Sequence, residues 1–144
     1  MSTVNALVID DSGIMRKMVM RGLQEAGLCE FEFAEAEDGE DGLAKFNPRS
    51  TEIVFVDWNM PNMNGMDMVR RIRAQFPDRP VPIVMVTTEK LTGKVEEALD
   101  GGVDAFISKP FTPDGLQKRV GPLIERVLEN KQQKKGGFFQ RLVA

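Results

Sequence analysis

The 144 residues carry a formal net charge of −3, with 42% hydrophobic and 28% charged side chains, one cysteine and no histidine or tyrosine. This length fits one domain that buries roughly 68–70% of its unfolded surface without a disulfide or metal staple. The lack of histidine excludes a Ser-His-Asp or Cys-His mechanism, a His-ligated zinc and a phosphohistidine donor, so any metal must be held by oxygen.

Five short, nearly continuous apolar runs recur: Val4–Ile9, Phe31–Ala36, Ile53–Val56, Pro82–Thr87 and Ala105–Ser108. Their length and Val, Ile and Phe content suit strands buried on both faces of a parallel sheet. Helical periodicity fills the gaps. Ile14, Met15, Met18, Val19, Leu23 and Ala26 form a stripe closed by Gly27. Residues 39–46 predict a short second helix. In the third, Val69, Ile72 and Phe76 face inward, with Arg70, Arg71 and Arg73 outward and Pro77 as the stop. Leu91, Val95, Ala98 and Leu99 give a fourth stripe ended by Gly101-Gly102. The last helix opens with Thr112 as cap, then Pro113 and Asp114, and buries Leu116, Val120, Leu123, Ile124, Val127 and Leu128. Pro122 predicts a bend over 118–122. From Lys131 the pattern reads as helix fraying into a linker through Gly136-Gly137. A short amphipathic tail follows, with Phe138, Phe139, Leu142 and Val143 opposite Gln140 and Arg141. This divides the chain into a domain at 1–130 and a basic extension at 131–144.

Lys131, Lys134, Lys135 and Arg141 put +4 on that extension, leaving 15 basic against 22 acidic side chains, −7, on residues 1–130. An acidic body argues against nucleic acid as a partner. No apolar run reaches the ~20 residues of a membrane span. The opening residues lack the order of a secretory signal, and one unpaired Cys29 points to a reducing cytoplasm.

Alternating strands and helices predict a doubly wound α/β sheet, in which ligands bind beyond the carboxyl ends of the strands. Those ends carry Asp10-Asp11, Asp57, Thr87-Thr88-Glu89 and Lys109-Pro110-Phe111. The two acidic ends have plain alternatives: Asp11 or Ser12 as a helix cap, and Asp57 as a turn residue before Asn59, Pro61, Asn62 and Asn64-Gly65. Taken together they suggest more. Three converging carboxylates repel unless a cation joins them, and hard oxygen donors suit Mg²⁺. A nucleophilic carboxylate, a metal and a lysine are the parts needed to move a phosphoryl group onto Asp.

Asp10-Asp11-Ser12, Asp57-Trp58-Asn59-Met60-Pro61-Asn62-Met63-Asn64-Gly65, Thr87 and Lys109-Pro110-Phe111-Thr112 together resemble the receiver domain of two-component response regulators. Within that family they are nearest to the stand-alone, CheY-like chemotaxis regulators. The resemblance covers residues 4–128 and implies a five-stranded sheet of order 2-1-3-4-5 (flavodoxin-like). It further implies Asp57 as phospho-acceptor from a histidine kinase or phosphotransfer protein. Asp10, Asp11, Asp57 and the Asn59 backbone carbonyl would hold Mg²⁺. Lys109, through a cis Lys109–Pro110 bond, would pair with Asp57 and then the phosphate. Thr87 and Phe106 would be the switch, Asn59, Thr88 and Glu89 would flank the site, and helix 4, strand 5 and helix 5 would face a downstream protein target. The extension at 131–144 lies outside the resemblance and could dock on a partner or an anionic surface.

Three other functions fit parts of the pattern. An aspartyl phosphohydrolase wants an acid two residues after its nucleophile, where Asn59 stands. A flavin protein wants a hydroxyl- and Gly-rich loop after the first strand, and an adaptor that never takes phosphate would have no use for the full acidic set. The nine methionines, partly gathered at 60–68, read as loop packing rather than a partner surface.

Overall fold

The computed structural model describes residues 3–78, 80–88 and 94–143, with the side chains at 94, 95 and 133–143 outside it. Glu89 and Leu91 lie outside the described residues. Five strands, β1 (Thr3–Ile9), β2 (Glu30–Ala36), β3 (Ile53–Val56), β4 (Ile83–Thr87) and β5 (Ala105–Ser108), alternate with five helices. These are α1 (Gly13–Ala26), α2 (Gly39–Lys45), α3 (Gly65–Gln75), α4 (Lys94–Asp100) and α5 (Pro113–Val143). All strand pairs are parallel, in the expected order β2-β1-β3-β4-β5.

β3 and β4 are buried at every residue, as continuous apolar runs between two helical layers must be. Leu7, Ile9, Val54 and Val56 pack with Met66, Val69 and Ile72 of α3 and Ala98 of α4. Val4, Ala6, Val8, Ile53 and Phe55 pack with Val19 and Leu23 of α1 and Leu116, Val120 and Ile124 of α5.

β2 departs from the expectation of a strand buried on both faces. It is an edge strand whose Glu30, Glu32 and Glu35 are exposed, while Phe31 and Phe33 stack at 5.2 Å over the α1–α5 side. With only β1 as neighbour it can carry charge, which also blunts the open edge.

The predicted helical stripes need three corrections. In α1, Val19 and Leu23 are buried but Ile14 and Met18 are 74% and 49% exposed. The first turns of α1 start at the carboxyl rim of β1, where little sheet is left to cover. In α4, Ala98 is buried and Leu99 is 53% exposed. In α3, Arg73 turns inward: it donates to the Val81 and Gly102 carbonyls and to Asp104 Oδ2, at 2.7–3.0 Å. Those acceptors sit just before β4 and β5 begin, so a planar donor fork ties the starts of both strands to α3.

Caps follow the sequence. Ser12 Oγ accepts the Met15 amide at 3.2 Å, and Gly27 closes α1 at φ 70°, in the left-handed region. Thr112 Oγ1 accepts the Gly115 amide at 3.0 Å. The linker expected from Lys131 is instead helix: α5 runs through Pro122 and Gly136-Gly137 to Val143. A helix already nucleated on a core extends at little cost per residue, so two glycines at about 1 kcal/mol each need not end it. Lys131 also secures it, donating to the Thr3 carbonyl at 2.6 Å and pairing with Glu52 at 3.0 Å. No helix among the described residues is long and apolar enough to cross a membrane.

Candidate functional site

The backbone ladder continues one residue past three strands and sets the level of the candidate side chains. Asp10 N–H donates to the Ala36 carbonyl at 3.1 Å, Asp57 N–H to Ile9 at 3.0 Å and Lys109 N–H to Thr87 at 2.9 Å. Side chains from β1, β3 and β5 therefore emerge together at the carboxyl edge. Asp10, Asp11 and Asp57 each bring a carboxylate oxygen to within 4.8 Å of the others. Lys109 Nζ lies 2.8 Å from Asp10 Oδ2 and 3.6 Å from Asp57 Oδ2. The lysine thus forms ion pairs with both Asp10 and Asp57, the one to Asp10 being the shorter. The Lys109–Pro110 bond is cis.

Burial grades the three acids. Asp10 is 4% exposed, Asp57 half-buried and Asp11 exposed. Asp10 is fully engaged: Oδ1 accepts the Ser12 amide at 2.9 Å while Oδ2 takes Lys109. Asp57 is pushed above the usual carboxylate range, chiefly by burial and further by Asp10. Lys109, the Trp58 amide and the Thr87 hydroxyl pull the other way. Thr87, completely buried, donates that hydroxyl to Asp57. Hard oxygen donors gathered on one partly desolvated spot are the donor set of a small divalent cation.

A model of the response regulator receiver domain matches residues 6–121. The chain is 39% identical over 115 residues to the chemotaxis protein CheY1 of Helicobacter pylori strain J99, covering 79% of this chain and 91% of that protein. It is 34% identical over 121 residues to the chemotaxis protein CheY of Pseudomonas aeruginosa, covering 84% and 96%. Among solved structures, Vibrio cholerae CheY4 superposes with a TM-score of 0.70 at 36% identity, over 88% of this chain and 99% of that one. The chain belongs to the response regulator receiver family.

Other sequence-predicted residues of this receiver spread around the acidic cluster. Trp58 is buried directly behind Asp57, and Asn59 and Thr88 are exposed beside it. Glu89 falls outside the described residues. Phe106 on β5 is partly buried against the α3–α4 layer. Met63 is buried in the turn after Asp57, while Met66 and Met68, expected as loop packing, are buried core residues of α3. The turn after Asp57 closes where Gly65 N–H meets the Trp58 carbonyl at 2.8 Å. A Cβ on Gly65 would run into the Asp57 carbonyl. Cys29 is buried, which pushes its thiol up and leaves it inert.

Sequence reasoning passed over Arg16 and Glu35. Arg16 donates to the Asp10 carbonyl at 2.6 Å and to Glu35 Oε1 at 2.9 Å. Nothing in the spacing of α1 points to β2, so only an unexplained cation one turn from Asp11 could have drawn attention.

Proposed function

We propose that this receiver is a phospho-accepting switch in which Asp57 takes a phosphoryl group from a histidine kinase or phosphotransfer protein. The carboxylate cluster carries the reading: Asp10, Asp11 and Asp57 within 4.8 Å, with Lys109 at their back. An Asp57 oxygen attacks phosphorus in line, the new O–P bond forming as the donor's P–N bond breaks and the imidazole leaves with a proton. Asp10, Asp11, Asp57 and the Asn59 backbone carbonyl would hold Mg²⁺, which when bound supplies charge against the phosphoryl oxygens. Lys109 grips a phosphoryl oxygen once Asp57 carries the acyl phosphate. Exposed Ile14 and Met18, on the first turns of α1, offer an apolar landing beside the acceptor for the donor protein.

Output follows from Thr87. Its hydroxyl, engaged with Asp57 in the unmodified chain, has a phosphoryl oxygen to bind after transfer. Phe106, two residues before the β5 end, moves with it, and the α4–β5–α5 face changes its affinity for a protein target. Asn59, Thr88 and Glu89 control water access to the acyl phosphate. The receiver unit is residues 1–130, and 131–144 is an extension available to a partner. The setting is cytoplasmic, in chemotaxis or a phosphorelay.

Intact-mass analysis after treatment with acetyl phosphate and Mg²⁺ tests the central step. The expected result is an alkali-labile gain of one phosphoryl group that is lost in Asp57→Asn. A stable gain retained in that variant would overturn the assignment.

A further inference from the structure

We infer that Arg16 is a positioning residue for the acidic cluster, clamping the Asp10–Ser12 loop to the edge strand so that two carboxylates face Asp57. The inference rests on the magnesium reading above and names the group that preshapes its site.

Arg16 stands one turn into α1, yet its side chain is 19% exposed, against 81% for Arg21 on the same helix. The difference comes from where the guanidinium goes. It folds back over the first turn, with Nη1 on the Asp10 carbonyl at 2.6 Å and Nε on Glu35 Oε1 at 2.9 Å. The residue beneath it is Gly13, where a Cβ would press on Arg16 Nη2 at 3.3 Å. A glycine at the helix start thus leaves the space the guanidinium fills. Glu35 is itself on a held strand, since Lys45 Nζ donates to the Glu35 carbonyl at 2.6 Å and pairs with Asp41 at 3.2 Å. One planar fork therefore joins the end of β1, the start of α1 and β2.

The contact falls where loop shape matters. The Asp10 carbonyl lies one residue past β1, where the chain turns to place Asp11, and the Ser12 amide already donates back to Asp10 Oδ1 at 2.9 Å. Fixing that carbonyl fixes the peptide plane between the two acids, and so the directions in which both leave the backbone. Two carboxylates held together without an ion repel each other, so a loop released from its clamp will let them part.

Charge and positioning predict opposite signs, which makes the idea testable. If Arg16 acted only through its field, removing a cation beside a cation site would tighten Mg²⁺ binding. If it positions the loop, Arg16→Ala weakens binding. The measurement is Mg²⁺ titration of the full chain by fluorescence of Trp58, the single indole, beside Asp57. We expect the apparent Kd to rise about tenfold in Arg16→Ala (about 1.4 kcal/mol in an equilibrium constant). Glu35→Ala, a change at a half-exposed carboxylate, should weaken binding less, and Glu35→Gln, which keeps an acceptor, should restore it. Unchanged or tighter binding in both Arg16→Ala and Glu35→Ala would overturn the inference. A wild-type chain that shows no magnesium response would instead overturn the reading beneath it.

Discussion

Lys109 and Asp10 are the most buried charges of the site, at 7% and 5% side-chain exposure and 2.8 Å apart. Removing one member of such a pair leaves the other uncompensated. Lys109→Ala should therefore cost about 3 kcal/mol of metal-free stability in urea unfolding, partly restored by Mg²⁺, and should abolish phosphorylation. Asp57 behaves differently because burial raises its carboxyl above the ordinary value of 3.8. The folded state then binds protons that the unfolded chain releases, so stability contributed at this residue falls as pH rises from the ordinary value through the raised one. Above that window the cost of the ionised group is complete. Asp57→Asn should remove this slope and unfold at higher temperature than the wild type at neutral pH without metal. An equal or lower melting temperature there would contradict the burial argument.

Single elements carry two further expectations. α3 is pinned by the Arg73 fork on Val81, Gly102 and Asp104, a half-buried group with four donor contacts. Arg73→Ala should cost roughly 2 kcal/mol, the range of hydrogen bonds to charged groups, without altering Mg²⁺ affinity measured through Trp58. α5 is pinned at Lys131 to Thr3 and Glu52, and Glu52 also accepts the Asn5 amide at 3.0 Å. Lys131→Ala should speed amide exchange in residues 131–143 while leaving the α5 segment under Val120 and Ile124 protected. Uniform exchange along α5 in both proteins would show that the pin does nothing.

Across the molecule the two ends of the sheet have separate duties. Acids and a lysine gather at the carboxyl edge, and structural ties (Arg73 to Asp104, Lys131 to Glu52) gather at the opposite edge. A ligand that binds only the folded chain stabilises it by mass action, so Mg²⁺ at about one hundred times its Kd should add about 2.7 kcal/mol. That gain should vanish in an Asp11→Ala, Asp57→Ala double variant. Strand positions, helix caps and the acids at the strand ends were legible from residue order alone, because continuous apolar runs, cap chemistry and strand-end carboxylates are local signals, whereas the strand order was implied only by the family resemblance. Exposure of Ile14 and Met18, the inward turn of Arg73 and the unbroken α5 were not. Each depends on what lies beside a segment in space: the rim of a sheet, a pair of free carbonyls, or an anchor at the far end of the chain. Residue order also named the acids, but their grouping is a matter of register. Only β1, β3 and β5 ending level brings Asp10, Asp57 and Lys109 together, and only packing chooses Asp10 as the nearer partner of the lysine.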